Sequence, residues 1–200
     1  MSSRHERGWD RIYHSQRPGS LPWELGEPRE ILVNLVESEQ VKPSRALDLC
    51  CGVGTNPIYL AGKGFEVTAL DISDKAVEYA KQQASQEAVD IDFLVADFLK
   101  LPFVGEEFGF LFDFGCFHHV EVEDRDIFIE GIFRILESKA TYLLTCFSYK
   151  NGPAWNHFKK NQIIRLFEDR FQIEWIKHVS SVEGDGVRRY FYEVLMYKNA

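Results

Sequence analysis

The chain has 200 residues, 45% hydrophobic and 27% charged, which is typical of a globular domain with a substantial core. Its 23 Lys and Arg residues against 31 Asp and Glu residues give a net charge of -8, which disfavours contact with a nucleic-acid backbone. Because no apolar run approaches the about 20 residues that span a bilayer, and the N-terminus lacks an apolar signal core, we expect a cytoplasmic protein without nucleic-acid or membrane partners.

The first 27 residues combine turn-forming residues with aromatics such as Trp9, Tyr13 and Trp23. This composition predicts an ordered N-terminal extension with a short helix near residues 9–14. Pro28 opens a further helix that continues to about Ser38, since apolar residues recur there on one helical face.

From Arg45 onward, short apolar runs alternate with amphipathic segments, and Ser73 is placed to cap one of the helices. Strands that alternate with helices imply crossover connections and a parallel sheet buried on both faces. The pattern predicts strands at 45–50, 65–72, 91–95, 108–115 and 141–148, and helices at 56–63, 74–86 and 124–136.

The C-terminal region departs from this alternation. After a helix at 161–167, the runs FQIEWIKHV and VRRYFYEVLMYK are separated by a glycine-containing turn, which predicts an antiparallel hairpin. The fold class is therefore predicted to be α/β, with a Rossmann-like, doubly wound, mostly parallel seven-stranded sheet that has one antiparallel strand near the C-terminus.

The stretch DLCCGVGTNP follows the first predicted strand and contains Gly52 and Gly54. Glycines at such a turn let a ligand approach the backbone, and the helix behind it offers free N–H groups. The pattern of a dinucleotide site, G-x-G-x-x-G, requires a third glycine after these two. Pro57 stands at that position here, which disfavours a pyrophosphate.

Three acidic residues indicate which ligand the predicted site would bind. Asp71 ends the second strand and can accept from both hydroxyls of a ribose, although it can also cap the next helix. Asp97 can accept from an adenine amino group, with Phe98 beside the ring. Asp48 can hold the amino group of a ligand or tie down the N–H groups of the turn. Together these features suit an adenosine that carries an amino acid and no phosphate, which indicates S-adenosylmethionine.

With LDLCCGVG, ALDIS, VADFLKLPF and FDFGCFHHV, the chain resembles the class I S-adenosylmethionine-dependent methyltransferases, from about Trp9 to Lys198. PWELGEP, FHHVEVEDR and RLFEDRFQI resemble the branch of thiopurine, thiol/halide and tellurite-resistance type enzymes. The resemblance implies methyl transfer to a small molecule with a sulfur, halide, chalcogen or oxygen nucleophile by in-line displacement. S-adenosylhomocysteine is the implied product.

The resemblance also implies one domain over 1–200, with an N-terminal lid and helix (1–40), a cofactor-binding core (44–148), and an acceptor-pocket segment with the hairpin (149–200). The lid aromatics can equally be plain packing on the sheet edge. The implied cofactor site has Trp9, Tyr13 and Trp23 in the lid, with Asp48, Gly52 and Gly54 near the methionine part. Asp71, Ile72, Asp97 and Phe98 lie around the adenosine, and Asp113, Gly115 and Cys116 form a wall from the fourth strand. Asn56 is a further cofactor-binding candidate.

His118 and His119 follow the fourth strand and are the candidate catalytic bases. Either can instead cap the next loop or pack under it, and a thiol or halide acceptor needs little or no base. Phe117, Tyr149 and Trp155 are expected to be aromatic walls of the acceptor pocket, although Trp155 can also be a core anchor.

The four cysteines lie in apolar, strand-like surroundings, which predicts buried reduced thiols. No cysteine pair has the spacing of metal ligands, so we expect no metal site. Two other functions remain open: a catalytically idle cofactor-binding regulatory protein and, disfavoured by Pro57, an NAD-dependent oxidoreductase.

Overall fold

The computed structural model describes residues 4–153 and 156–200, and for residues 4–7 it describes the backbone alone. The helices are α1 (Arg4–Ser15), α2 (Glu30–Glu37), α3 (Thr55–Gly62), α4 (Asp74–Gln86), α5 (Arg125–Ile135) and α6 (Lys160–Phe167). The strands are β1 (Arg45–Leu49), β2 (Glu66–Asp71), β3 (Asp92–Val95), β4 (Phe108–Phe114), β5 (Leu136–Phe147), β6 (Phe171–Val182) and β7 (Arg188–Lys198).

The strands form one seven-stranded sheet in the order β3-β2-β1-β4-β5-β7-β6. β2 pairs in parallel with both β1 and β3, and β4 pairs in parallel with β5. β7 is antiparallel to both of its neighbours, β5 and β6. The predicted fold class, a mostly parallel seven-stranded sheet with one reversed strand near the C-terminus, is therefore confirmed.

The chain forms two compact units. The first includes the chain up to Phe98 together with Glu183–Asp185, and the second consists of Leu99–Val182 and Gly186–Ala200. The predicted subdivision of a single domain into lid, core and acceptor segment stays a prediction. Across the described residues, no helix is both long and apolar enough to cross a membrane.

The first unit has two apolar clusters around its glycine turn. In one of them, Val77, Ala80 and Ala84 of α4 pack with Ala69 of β2 and Phe93 of β3. α4 begins where predicted, because the Ser73 side chain accepts a hydrogen bond from the Ala76 N–H. The second cluster contains Tyr13, Leu21, Val53 and Ala76, with Trp9 and Trp23 packed against it. The N-terminal extension is thus ordered against the turn.

The second unit has an aromatic core. The Phe117 ring stacks on Phe158 at 4.9 Å between centroids and contacts Phe128 of α5 and Phe167 of α6. Phe128 lies on the apolar face of the amphipathic helix α5 and is fully buried. This core fixes the segment that follows β4.

Two strand boundaries differ from the predictions by more than one residue. β5 begins at Leu136, directly after α5, five residues before the predicted start at Thr141. The three residues after the buried Leu136 are exposed and polar, as in a turn. Among them, Lys139 has a φ of 62°, and the register between β4 and β5 is irregular in this stretch. β6 extends to Val182, beyond the predicted end at residue 179, because alternating polar residues continue the strand pattern.

Candidate active site

The glycine turn of the first unit is closely packed on both sides. Gly54 has a φ of 91° and precedes α3, and a Cβ at this position would lie 2.9 Å from the Ala80 Cβ of α4. Gly52 has a φ of 55°, and a Cβ there would lie 2.5 Å from Glu24 Oε1 and 3.1 Å from the Tyr13 hydroxyl. Both positions therefore require glycine, and the space beside Gly52 is occupied by the Glu24 carboxylate and the Tyr13 hydroxyl instead of a side chain of its own.

Asp71 joins the end of β2 to this turn. Its Oδ2 accepts a hydrogen bond of 3.0 Å from the Gly52 N–H, and its Oδ1 accepts one of 2.9 Å from the Ser73 N–H. Burial raises the pKa of Asp71 to about 6, against the lowering effect of these backbone hydrogen bonds. Each carboxylate oxygen can accept more than one hydrogen bond, so the arrangement fits a ribose whose hydroxyls donate to Asp71.

The predicted adenine side of the site follows β3. The Ala96 N–H donates a 3.0 Å hydrogen bond to the Asp71 carbonyl, which holds the ends of β2 and β3 together. Ile72 directly follows β2, and Asp97 and Phe98 follow β3 by two and three residues. Phe98 is buried, and Asp97 and Ile72 are partly buried. Asp48, inside β1, is buried as well.

The predicted lid aromatics lie against the glycine turn. Tyr13 is buried, and its hydroxyl accepts a 3.0 Å hydrogen bond from Trp23 Nε1. The Trp9 and Trp23 rings meet edge to face at 5.5 Å. The Tyr13 hydroxyl donates to Glu24 Oε1 at 3.3 Å, and the same oxygen accepts from the Val53 N–H at 3.3 Å. Sequence reasoning missed Glu24, although it lies inside the PWELGEP motif.

A buried ion pair supports this N-terminal segment. Arg29 Nη1 lies 3.1 Å from Glu183 Oε2, and Arg29 Nη2 donates to the Trp23 carbonyl at 2.7 Å. The Arg29 backbone N–H donates to Asn56 Oδ1 at 2.9 Å, so Asn56, which was predicted at the cofactor, holds the start of α2. Neither Arg29 nor Glu183 carries a sequence signal for this role.

In the second unit, Asp113 organises the end of β4. Its Oδ1 accepts hydrogen bonds from the Cys116 and Phe117 N–H groups at 2.8 and 3.3 Å. Its Oδ2 accepts from the Tyr142 hydroxyl at 3.1 Å. Burial raises the pKa of Asp113 to about 7. Gly115 takes the left-handed conformation required by this turn, with a φ of 94°.

The two candidate bases differ in their surroundings. His118 is buried, its ring stacks on Phe147 at 3.9 Å, and its Nδ1 accepts a 3.3 Å hydrogen bond from the Phe147 N–H. Burial lowers the pKa of His118 well below its usual value, so the ring is neutral. A neutral imidazole that accepts at Nδ1 carries its proton on Nε2. His119 is half-buried, with its ring 4.5 Å from His118.

The predicted acceptor-pocket aromatics are not equivalent. Phe117 lies in the buried core, whereas Tyr149 is 44% exposed. Trp155 lies outside the described residues. Near Tyr149, His178 stacks on Tyr192 at 4.7 Å, and its Nε2 lies 2.7 Å from Ser148 Oγ. Sequence reasoning missed this group, because the strand pattern of β6 and β7 explained its residues without a site.

Cys51 and Cys146 are free and buried, as expected. Cys50 and Cys116 are both disulfide-bonded, so the prediction of reduced thiols is wrong for these two. In the part of the chain that the structure describes, no group of three or more His, Cys, Asp or Glu residues is arranged to hold a metal ion.

A family model described as a methyltransferase domain matches residues 46–139. The 2-heptyl-1-hydroxyquinolin-4(1H)-one methyltransferase of Mycobacteroides abscessus is 29% identical over 70% of this chain and 64% of its own length. The probable thiol methyltransferase 2 of Arabidopsis thaliana is 30% identical over 68% of this chain and 60% of its own length. The chain thus spans less than two thirds of either relative. Thiocyanate methyltransferase 1 of Brassica oleracea is 30% identical over 75% of this chain and 67% of its own length.

Solved structures share the fold. A protein from a study of the conversion of a disulfide bond into a thioacetal group during echinomycin biosynthesis superposes with a TM-score of 0.86, at 21% identity, over 97% of this chain and 93% of its own. The N-methyltransferase NodS of Bradyrhizobium japonicum, solved with S-adenosylhomocysteine, gives 0.79 at 13% identity, over 99% of this chain and 100% of its own. These structures show the fold. The family follows from Thiocyanate methyltransferase 1, which is 30% identical and matched over two thirds of its length, together with the methyltransferase-domain match. The chain belongs to the S-adenosylmethionine-dependent methyltransferases, as its motifs predicted.

Proposed function

We propose that this protein transfers the methyl group of S-adenosylmethionine to a small-molecule sulfur nucleophile, such as a thiol or thiocyanate. The observation that carries the proposal is the state of His118. Its Nδ1 lone pair accepts from the Phe147 N–H and its other nitrogen bears the proton, so the ring has no lone pair with which to deprotonate an acceptor. An acceptor that reacts without a general base suits such a residue.

Asp113 supports the same conclusion. Its carboxylate is buried and accepts hydrogen bonds from two backbone N–H groups and from the Tyr142 hydroxyl. These contacts give Asp113 a role in holding the turn after β4 rather than in removing a proton from a substrate. Thiols ionise far more readily than alcohols, and thiocyanate is already an anion, so neither needs an enzymatic base of high proton affinity.

The relatives support a sulfur acceptor but do not agree on one chemistry. Two of the three named above are a probable thiol methyltransferase and a thiocyanate methyltransferase. The third is named for a hydroxyquinolone. We take the sulfur acceptor as the first candidate, because it fits the occupied nitrogen atoms of His118.

In the proposed reaction, the sulfonium of the bound cofactor supplies an electrophilic methyl group. The backbone of the glycine turn and the Asp71 carboxylate bind and orient the cofactor in the first unit. The Trp9, Tyr13 and Trp23 side chains, which pack together with Val53 of the turn, would limit the access of water, which would otherwise solvate the nucleophile. Positioning and desolvation are thus what this chain contributes to the rate.

A planar aromatic acceptor is the second candidate. The rings of His178 and Tyr192 are stacked, and the partly exposed Tyr149 ring lies nearly parallel to His178 at 6.2 Å. Such a group offers a flat surface to an aromatic ring. His178 is hydrogen-bonded to Ser148 through Nε2, which orients the imidazole.

The two candidates and the idle regulatory alternative are separated by turnover. Purified protein is incubated with S-adenosylmethionine and, separately, with thiocyanate, iodide, a set of aliphatic and aromatic thiols, and hydroxyquinolones or phenols, and S-adenosylhomocysteine is measured. We expect product with sulfur acceptors and at most slow turnover with phenols. Turnover with the aromatic hydroxyl compounds alone would support the second candidate, and binding without turnover would support the idle protein.

A further inference from the structure

We propose that Glu24 is a further cofactor-binding residue, whose carboxylate pairs with the α-ammonium group of the methionine part of S-adenosylmethionine. This inference goes beyond the proposed acceptor, because it concerns the cofactor alone. It stands even if the acceptor proves to be something other than sulfur.

The position of Glu24 carries the proposal. Its Oε1 lies 2.5 Å from the point where a Cβ on Gly52 would stand, so the carboxylate covers the turn at the place where no side chain can be present. The same oxygen is held by the Val53 N–H and the Tyr13 hydroxyl, each at 3.3 Å. The carboxylate is therefore fixed beside Gly52 and Gly54, which we expect to line the methionine part of the cofactor.

One oxygen of Glu24 is still available. Oε2 makes no hydrogen bond to any residue that the structure describes, while Oε1 is engaged by two donors. A carboxylate accepts further hydrogen bonds readily, and an ammonium group has three N–H donors to offer. Glu24 can thus keep its contact with Val53 and bind the cofactor at the same time.

The charges around Glu24 favour a cationic ligand. Asp71 lies near enough to raise the pKa of Glu24, and Asp10 acts in the same way on Asp71. Arg29 is the cation that interacts with Glu24, but its guanidinium is directed to Glu183 at 3.1 Å. An ammonium group placed here would relieve the mutual repulsion of the carboxylates.

The backbone on the N-terminal side of Glu24 is held in place before the ligand arrives. The Gly184 N–H donates to the Pro22 carbonyl at 2.8 Å, and Arg29 donates to the Trp23 carbonyl at 2.7 Å. Both carbonyls belong to the residues directly before Glu24. Such fixation reduces the entropy lost on binding, so Arg29 and Glu183 act as positioning residues for Glu24.

The test pairs a variant with a ligand that lacks the ammonium group. Calorimetry measures binding of S-adenosylhomocysteine, and of its deaminated analogue that keeps the carboxylate, to the wild type and to Glu24→Gln. S-adenosylhomocysteine has no sulfonium charge, so the comparison isolates the ammonium. We expect Glu24→Gln to weaken S-adenosylhomocysteine about tenfold or more, and to leave the affinity for the deaminated analogue within about twofold of the wild type.

Glu27→Gln is the matched control, because Glu27 is an exposed residue of the same segment. We expect it to bind both ligands as the wild type does. Equal weakening of both ligands by Glu24→Gln would overturn the proposal, because it would indicate a role in shaping the turn. Unchanged binding of S-adenosylhomocysteine by a variant with the wild-type melting temperature would overturn it as well.

Discussion

Arg29 and Glu183 form a buried ion pair, with Nη1 and Oε2 3.1 Å apart, between residues separated by 154 positions in the chain. The side chains are only 8% and 3% exposed. Arg29 also donates to the Trp23 carbonyl, so the pair anchors the segment that carries Trp23 and Glu24. The stability of the first unit and the order of its N-terminal segment are thus linked through one contact.

Removal of one partner from this pair should be strongly destabilising. Glu183→Ala leaves the Arg29 guanidinium buried without its counter-charge, and we expect the free energy of unfolding to fall by about 3–5 kcal/mol. Chemical denaturation measures this change. The control is Glu66→Ala, since the Arg45–Glu66 pair is 46% and 78% exposed, and we expect a change within about 0.5 kcal/mol. Similar losses from both variants would contradict the account.

The glycine turn provides a test of backbone geometry. Gly54→Ala introduces a Cβ 2.9 Å from the Ala80 Cβ at a φ of 91°, and we expect a loss of about 1–3 kcal/mol in the free energy of unfolding. Gly62→Ala at the end of α3 meets nothing within 4 Å and should be neutral or stabilising. Thermal and chemical unfolding compare the two. A neutral Gly54→Ala would show that α3 and α4 can separate without cost.

Asp71 should contribute to cofactor binding through its charge. Asp71→Asn keeps the size of the side chain but weakens its acceptance of hydrogen bonds from the ribose hydroxyls, and we expect a loss of about 1.5–3 kcal/mol in binding S-adenosylhomocysteine. Asp74→Asn, in the exposed first turn of α4, is the control and should bind as the wild type does. Calorimetry that finds equal affinities for the two variants would remove Asp71 from the ribose site.

Glu24 should make cofactor binding depend on pH. Burial, followed by the charge of Asp71, raises the pKa of Glu24 to about 7 against the lowering effects of Val53, Tyr13 and Arg29. A bound ammonium lowers this pKa, so binding releases a proton wherever the free protein holds one, which is below about pH 7. We therefore expect the affinity for S-adenosylhomocysteine to rise from about pH 6 to about pH 7.5 and then to level off.

Asp71 faces the same region, and burial raises its pKa to about 6, so it contributes its own pH dependence at lower pH. The difference in slope between the wild type and Glu24→Gln therefore isolates Glu24. Tyr13 and Cys51 also lie near these carboxylates, but burial raises their pKa values well above the usual range, so they stay protonated over this range. Identical slopes for the wild type and the variant would contradict the pairing of Glu24 with the ammonium.

The two histidines should matter differently for different acceptors. Because His118 has no free lone pair and a thiol needs little or no base, we expect His118→Gln and His119→Gln to keep most of the turnover with thiols. A larger loss with hydroxyl acceptors is expected only for His119→Gln, since His118 cannot act as their base. His14→Gln is the control, since His14 lies on the exposed surface of α1. Steady-state kinetics on one thiol and one phenol compares the variants. Equal and large losses on both acceptors would count against the proposed reaction without a base.

Local patterns predicted where the residues of the expected cofactor site lie in the fold. The positions of Gly52, Gly54 and Asp71 in the fold could be predicted because they depend on short-range features. Asp71 ends β2, and the two glycines lie in the turn between β1 and α3. Glu24 and Glu183 could not, because their partners Val53 and Arg29 lie 29 and 154 residues away and polar loop residues have no periodicity. The start of β5 at Leu136 was missed because the exposed polar residues that follow it, Glu137 to Lys139, resemble a turn.

The surroundings of His118 and His119 could not be predicted from the sequence for a different reason. A sequence places His118 and His119 at the end of β4, but adjacent residues in a short helical turn diverge, and packing decides which of them is buried. Only the stacking of His118 on Phe147 reveals that its ring is part of the core. The acceptor side therefore depends on tertiary packing far more than the cofactor side does.

Mass spectrometry with methyl-deuterated S-adenosylmethionine provides the decisive test of methyl transfer to a sulfur acceptor. Purified protein is incubated with a panel of thiols and thiocyanate, and we expect a labelled methyl thioether or methyl thiocyanate formed in equal amount with S-adenosylhomocysteine. A protein that binds the cofactor but yields no labelled sulfur product, while it methylates an oxygen or nitrogen acceptor, would contradict this expectation.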